Sequence, residues 1–99
     1  MASVDPLRRR LDALLSARTY PKSICPSEVA RALTAQDLAF HGAAHWRDLM
    51  PDIRARLWQM RVRGEVDILQ RGEPIARHVA LEDIKGPIRA RRVKVAEGS

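Results

Sequence analysis

The chain has 99 residues, room for one compact domain but not for two. Eighteen Lys and Arg against twelve Asp and Glu give a formal net charge of +6, and a hydrophobic share of 45% argues against wholesale disorder. One Cys excludes an intrachain disulfide scaffold, no apolar run approaches the roughly 18 residues of a membrane span, and Asp12 and Arg18 interrupt any signal-peptide core behind Arg8–Arg10, so a cytoplasmic protein is expected.

Asp5 and Pro6 open a first helix, a capping carboxylate before a proline whose missing N–H is not needed there. Leu7, Leu11, Leu14 and Leu15 form one apolar stripe, and Arg8, Arg9 and Arg10 point away from it. Tyr20-Pro21-Lys22-Ser23 ends the helix. Ile24-Cys25 reads as a short extended piece, because a residue before proline is pushed out of the helical region. Pro26-Ser27-Glu28 starts a short second helix with Val29, Ala30 and Leu33 on its apolar side. Thr34 to Ala44 carries weaker signals, a turn over Asp37–Phe40 and a loop at Gly42.

From Trp46 to Arg63 the helical period is strong, with Trp46, Leu49, Met50, Ile53, Leu57 and Met60 on one face. Pro51 predicts a turn over Trp46–Met50 and a third helix from Pro51 on, ended by Gly64 in a left-handed cap. Glu65 to Gln70 alternates polar and apolar, a strand with Val66 and Ile68 inward. Arg71-Gly72-Glu73-Pro74 reads as a turn, and Ile75 to Asp83 has room for an extended piece and a short turn. Lys85-Gly86-Pro87 breaks the chain, and Ile88 to Arg91 alternates again as a partner strand.

This order predicts a mainly α fold with a small β-hairpin (α+β): a winged helix-turn-helix of three helices plus wing. One domain is expected over residues 1–99, its core at about 5–93 and its ends, 1–4 and 94–99, frayed.

Four strings resemble the signature of a bacterial family catalogued as domain of unknown function 3253. They are Ile24-Cys25-Pro26-Ser27-Glu28-Val29-Ala30-Arg31-Ala32-Leu33, Trp46-Arg47-Asp48-Leu49-Met50-Pro51 with Ile53-Arg54 behind it, Arg63-Gly64-Glu65-Val66 running into Ile68, and Gly86-Pro87-Ile88-Arg89. The resemblance runs over residues 7 to 92. It implies a winged-helix fold and supplies no catalytic, cofactor or ligand residue.

The basic residues carry the functional expectation. On the third helix Arg47, Arg54 and Arg61 share one flank and Arg56 and Arg63 the other; Arg71 and Arg77 fall on the wing, and Arg89, Arg91 and Arg92 on the last strand. Residues 51–99 hold eleven basic and seven acidic groups against seven and five in residues 1–50. The planar guanidinium fork suits phosphate, so duplex DNA is the expected partner, with the third helix in the major groove and the wing on the flanking backbone. Arg56 or Gln59 would reach a base edge. Asp48 and Asp52 oppose this reading, since carboxylates on the first turns of that helix repel phosphate. Aromatics are scarce, which favours duplex over single strands. Trp46 reads as a core residue. Trp58 falls off the core stripe beside Arg54 and Arg61, where it either packs beneath the wing or the first helix or anchors a protein partner or a homodimer. A protein-interaction module without nucleic-acid activity is therefore the alternative.

Cys25, His41, His45 and His78 are the candidate metal ligands, but Gly42 separates His41 from His45 and no paired ligand framework exists, so no metal is expected. Cys25 is expected to face the core beside Ile24. Ser27 lacks a glycine elbow and the five glycines do not cluster into a phosphate loop, so neither an enzyme nor a cofactor is expected.

Overall fold

A computed structural model describes residues 5–93. The ends expected to fray lie outside these residues. The helices are α1 (Pro6–Ala17), α2 (Pro26–Arg31), α3 (Ala35–Phe40) and α4 (Met50–Val62); the strands are β1 (Val66–Gln70), β2 (Glu73–Pro74) and β3 (Arg89–Arg92), with 3₁₀ turns at Trp46–Leu49 and Leu81–Asp83.

Asp5 caps α1, its carboxylate accepting from the N–H groups of Leu7 at 3.0 Å and Arg8 at 3.3 Å. Leu7, Leu11 and Leu15 are buried, as their spacing predicts, and Leu14 packs half-buried at the core edge. Each such burial contributes about 1.5–3 kcal/mol. Ile24 takes the inward position of the extended piece and exchanges both main-chain hydrogen bonds with Ala90. Cys25 differs from expectation. The alternation of the extended chain turns it away from the core, and it caps α2 half-buried, with Sγ 3.2 Å from Ser27 Oγ and its N–H donating to the Glu28 carboxylate.

α3 is a helix where the sequence suggested only a turn, so the described residues hold four α-helices and not three. A reciprocal cap accounts for it: the Thr34 hydroxyl accepts from the Asp37 N–H at 3.1 Å and the Asp37 carboxylate accepts from the Thr34 N–H at 2.9 Å. The 3₁₀ turn precedes α4 as Pro51 required, and Ile53, Leu57 and Met60 are buried. Trp46 is half-buried, packed against the core rather than fully within it, with the guanidiniums of Arg31 at 5.1 Å and Arg47 at 4.6 Å from its ring. Gly64 leaves α4 with φ +79°, the left-handed cap its position predicted.

The sheet has the order β2-β1-β3, all antiparallel. Val66 and Ile68 face the core, and β1 pairs with β3 from Val66↔Arg92 to Leu69↔Arg89. Glu73-Pro74 is a strand and not merely part of a turn. Arg71 and Gly72 both have positive φ, 55° and 80°, which closes a two-residue hairpin and brings Glu73 opposite Gln70. The wing thus gains a third strand before the chain runs through 75–88 into β3. α1, α2, α4 and the inner face of the sheet enclose one hydrophobic cluster.

Candidate nucleic-acid interface

With Ile53, Leu57 and Met60 facing inward, the opposite face of α4 carries Pro51, Ala55, Gln59 and Val62. Pro51 and Gln59 are exposed, Ala55 is half-buried, and Val62 is 77% exposed. Arg54, Trp58 and Arg61 line one flank of this face; Asp52, Arg56 and Arg63 line the other.

The first flank is occupied by the chain between β2 and β3. The Arg61 guanidinium donates to the carbonyls of Ile75, Ala76 and Val79 and stacks on the Trp58 ring at 4.5 Å. Arg54 donates to the Gly86 carbonyl at 3.4 Å. Trp58 is half-buried against the core, beneath that guanidinium.

On the second flank Arg56 points inward, bridging Asp5 at the start of α1 and Asp52 one turn back, the latter at 3.2 Å. His41 Nε2 reaches the same Asp5 carboxylate at 3.1 Å. Burial alone would push the Asp5 carboxyl up, but the Arg56 guanidinium, the Arg8 N–H and His41 together hold it below the usual carboxylate range. Burial would likewise weaken the Arg56 cation, and its two carboxylate partners more than restore it. Asp48 accepts from the N–H groups of Ala44 and His45, capping the 3₁₀ turn. Both acids that opposed phosphate binding are therefore engaged within the molecule. The i, i+4 pair of Asp52 and Arg56 was legible in the sequence. The Asp5 contact spans 51 positions and left no local signal.

The arginines of β3 are also anchored. Arg89 donates to Ser23 Oγ at 2.7 Å and lies 3.5 Å from Glu28; Arg91 meets Asp67 at 3.2 Å and the Tyr20 ring at 4.8 Å; Arg92 reaches Ser16 Oγ at 3.2 Å. Burial raises the Glu28 carboxyl, yet the Cys25 N–H, Arg18 and Arg89 bring it below its ordinary value. Arg63 is exposed and pairs with Glu65 at 3.3 Å, and Arg47 is exposed against Trp46. Gln59, Arg71 and Arg77 are exposed, and their side chains make no hydrogen bond or ion pair with the described residues. The end of α4 and the chain after β2 border one open cleft of about 790 Å³, which brings Arg63 and Arg77 to a common rim.

Among the described residues no three His, Cys, Asp or Glu side chains converge as a metal site. His45 Nδ1 instead accepts from the Arg47 N–H at 3.1 Å, and His78 is exposed. No helix of the described residues is long and apolar enough to cross a membrane.

The helix order, the one-rung strand at Ile24 and the sheet behind α4 define a winged-helix-like α+β fold. The chain belongs to the family described as protein of unknown function (DUF3253), whose model matches residues 4–93. A comparison with curated proteins gives no match.

Proposed function

We propose that this chain is a cytoplasmic binding module and not an enzyme, and that it docks on duplex DNA with the exposed face of α4 in the major groove and the β1–β2 turn on the neighbouring backbone. The observation that carries the reading is the exposed basic rim beside α4: Arg63 and Arg77 border one cleft and Arg71 sits at the wing tip, while Asp52 is paired with Arg56, which Asp5 shares, and Asp48 accepts from main-chain amides. Phosphate contacts from Arg47, Arg63, Arg71 and Arg77 would position the helix without fixing sequence. Fluorescence anisotropy on random duplex DNA at several salt concentrations tests it. Affinity should fall with salt at about −0.9 in log–log slope per phosphate contact, and Arg71→Ala with Arg77→Ala should flatten that slope by about two contacts' worth. Absence of binding at low ionic strength rejects the reading.

The exposure of Val62 and of Val93 on the same cleft favours a second reading, docking of a protein partner or a second copy. Light scattering showing a concentration-dependent dimer that Val62→Asp dissolves would support it. Monomer at all concentrations would count against self-association.

A further inference from the structure

We infer that α4 reads A·T pairs in the major groove, with Gln59 as the base-reading side chain and Ala55 and Val62 as apolar contacts to thymine methyls. The inference rests on the nucleic-acid reading above and adds its specificity. Of the α4 side chains expected to reach bases, Arg56 is removed by its bridge to Asp5 and Asp52. Arg54 and Arg61 are turned sideways onto the carbonyls of the 75–86 chain. The helix therefore presents no cation along the centre of its outward face, and guanine, whose O6 and N7 are read chiefly by Arg or Lys, has no central partner there.

What the face does present is chemically specific. Ala55, Gln59 and Val62 lie at i, i+4 and i+7, one ridge along the helix. Gln59 is exposed, its amide offering one donor and one acceptor, the pair needed by adenine N7 and N6. Val62 is 77% exposed beside it, an unusual exposure for a β-branched aliphatic. A methyl-bearing neighbour on each side of a Gln is complementary to thymine C5-methyl groups flanking or pairing with a read adenine.

The test uses the full chain and four labelled duplexes of equal length in low salt: A·T only, G·C only, the A·T duplex with deoxyuridine replacing thymidine, and an inosine·cytosine duplex. Inosine·cytosine keeps the major-groove edge of G·C while its minor groove resembles that of A·T. The expected order is A·T tightest by about tenfold over G·C, with the deoxyuridine duplex in between and inosine·cytosine weak like G·C. Gln59→Ala should bring the A·T duplex down towards the G·C level, with circular dichroism checking that the helix content is kept. Equal affinity for A·T and G·C, inosine·cytosine binding as tightly as A·T, or a preference that survives Gln59→Ala each overturns the inference while leaving duplex binding standing. Failure of every duplex to bind overturns both readings together.

Discussion

Replacing Asp5 by alanine removes more than a helix cap. Its carboxylate accepts from the Leu7 and Arg8 amides, pairs with the Arg56 guanidinium and lies 3.1 Å from His41 Nε2. Loss of the cap alone costs about 1 kcal/mol, and a half-buried guanidinium stripped of one partner adds to it, so Asp5→Ala should destabilise by about 2–3 kcal/mol in urea unfolding. A change of only about 1 kcal/mol, the cap alone, would mean that Asp52 by itself satisfies Arg56. Asp5, Glu28 and Asp37 all have carboxyls held below their ordinary values of 3.8, 4.5 and 3.8. For Asp37 the Thr34 N–H is the main cause, assisted by the Thr34 hydroxyl and Arg10 against the effect of burial. Folded values below unfolded ones mean that the stabilisation is complete above the ordinary values. It is lost as pH falls through the lowered ones. The melting temperature should therefore drop below about pH 4, and Asp37→Asn should shrink that drop. A melting temperature insensitive to acid would show that these carboxylates gain nothing on folding.

Elements were legible where one pattern ran long enough to repeat. α1 and α4 follow from their apolar stripes, and Gly64 from the need for a left-handed exit; Gly64→Ala should cost about 1 kcal/mol by thermal melting, since an alanine there meets no steric neighbour but must adopt φ +79°. α3 escaped because six residues hold fewer than two turns, and its helix is set by the Thr34–Asp37 cap rather than by a hydrophobic period. β2 escaped for a similar reason: two residues have no alternation to read, and only the conformation of Arg71 and Gly72 makes them a strand. Within the candidate interface, the arginines were found by type and spacing. Their orientation depended on carbonyls of the 75–86 chain that no periodicity reports. Arg61→Ala should release that segment, raising amide exchange across residues 75–79 while α1 is unchanged. Unchanged exchange there would place the hold on the segment elsewhere, with Arg54 or the packing of Ile75.

At the scale of the molecule, the count of eighteen Lys and Arg overstates what a ligand meets. Arg8, Arg18, Arg56 and Arg91 are each paired to a carboxylate and partly covered. The exposed cations are spread over the described residues: Arg63, Arg71 and Arg77 lie at the end of α4 and on the wing, but Arg9 and Arg10 lie on α1, Arg31 on α2, and Lys22, Lys85 and Arg89 elsewhere. That distribution favours a modest number of phosphate contacts and a correspondingly shallow salt dependence, rather than the slope the count of cations suggests. The core that holds this surface in place is shared by three helices and the sheet, so Leu57→Ala, fully buried in α4, should cost about 2–5 kcal/mol and weaken ligand binding only through unfolding. A loss of binding at temperatures where the variant is fully folded would tie Leu57 to the orientation of α4.

The Asp5 bridge to Arg56 also makes two segments far apart in the chain open together. The first turn of a helix ordinarily frays early and alone. Here the fraying of α1 must withdraw the partner of a guanidinium on α4, 51 positions away. The protein's outermost turn is thereby bound to the helix that faces its ligand. A ligand that steadies α4 should slow hydrogen exchange at Leu7 and Arg8 without touching either.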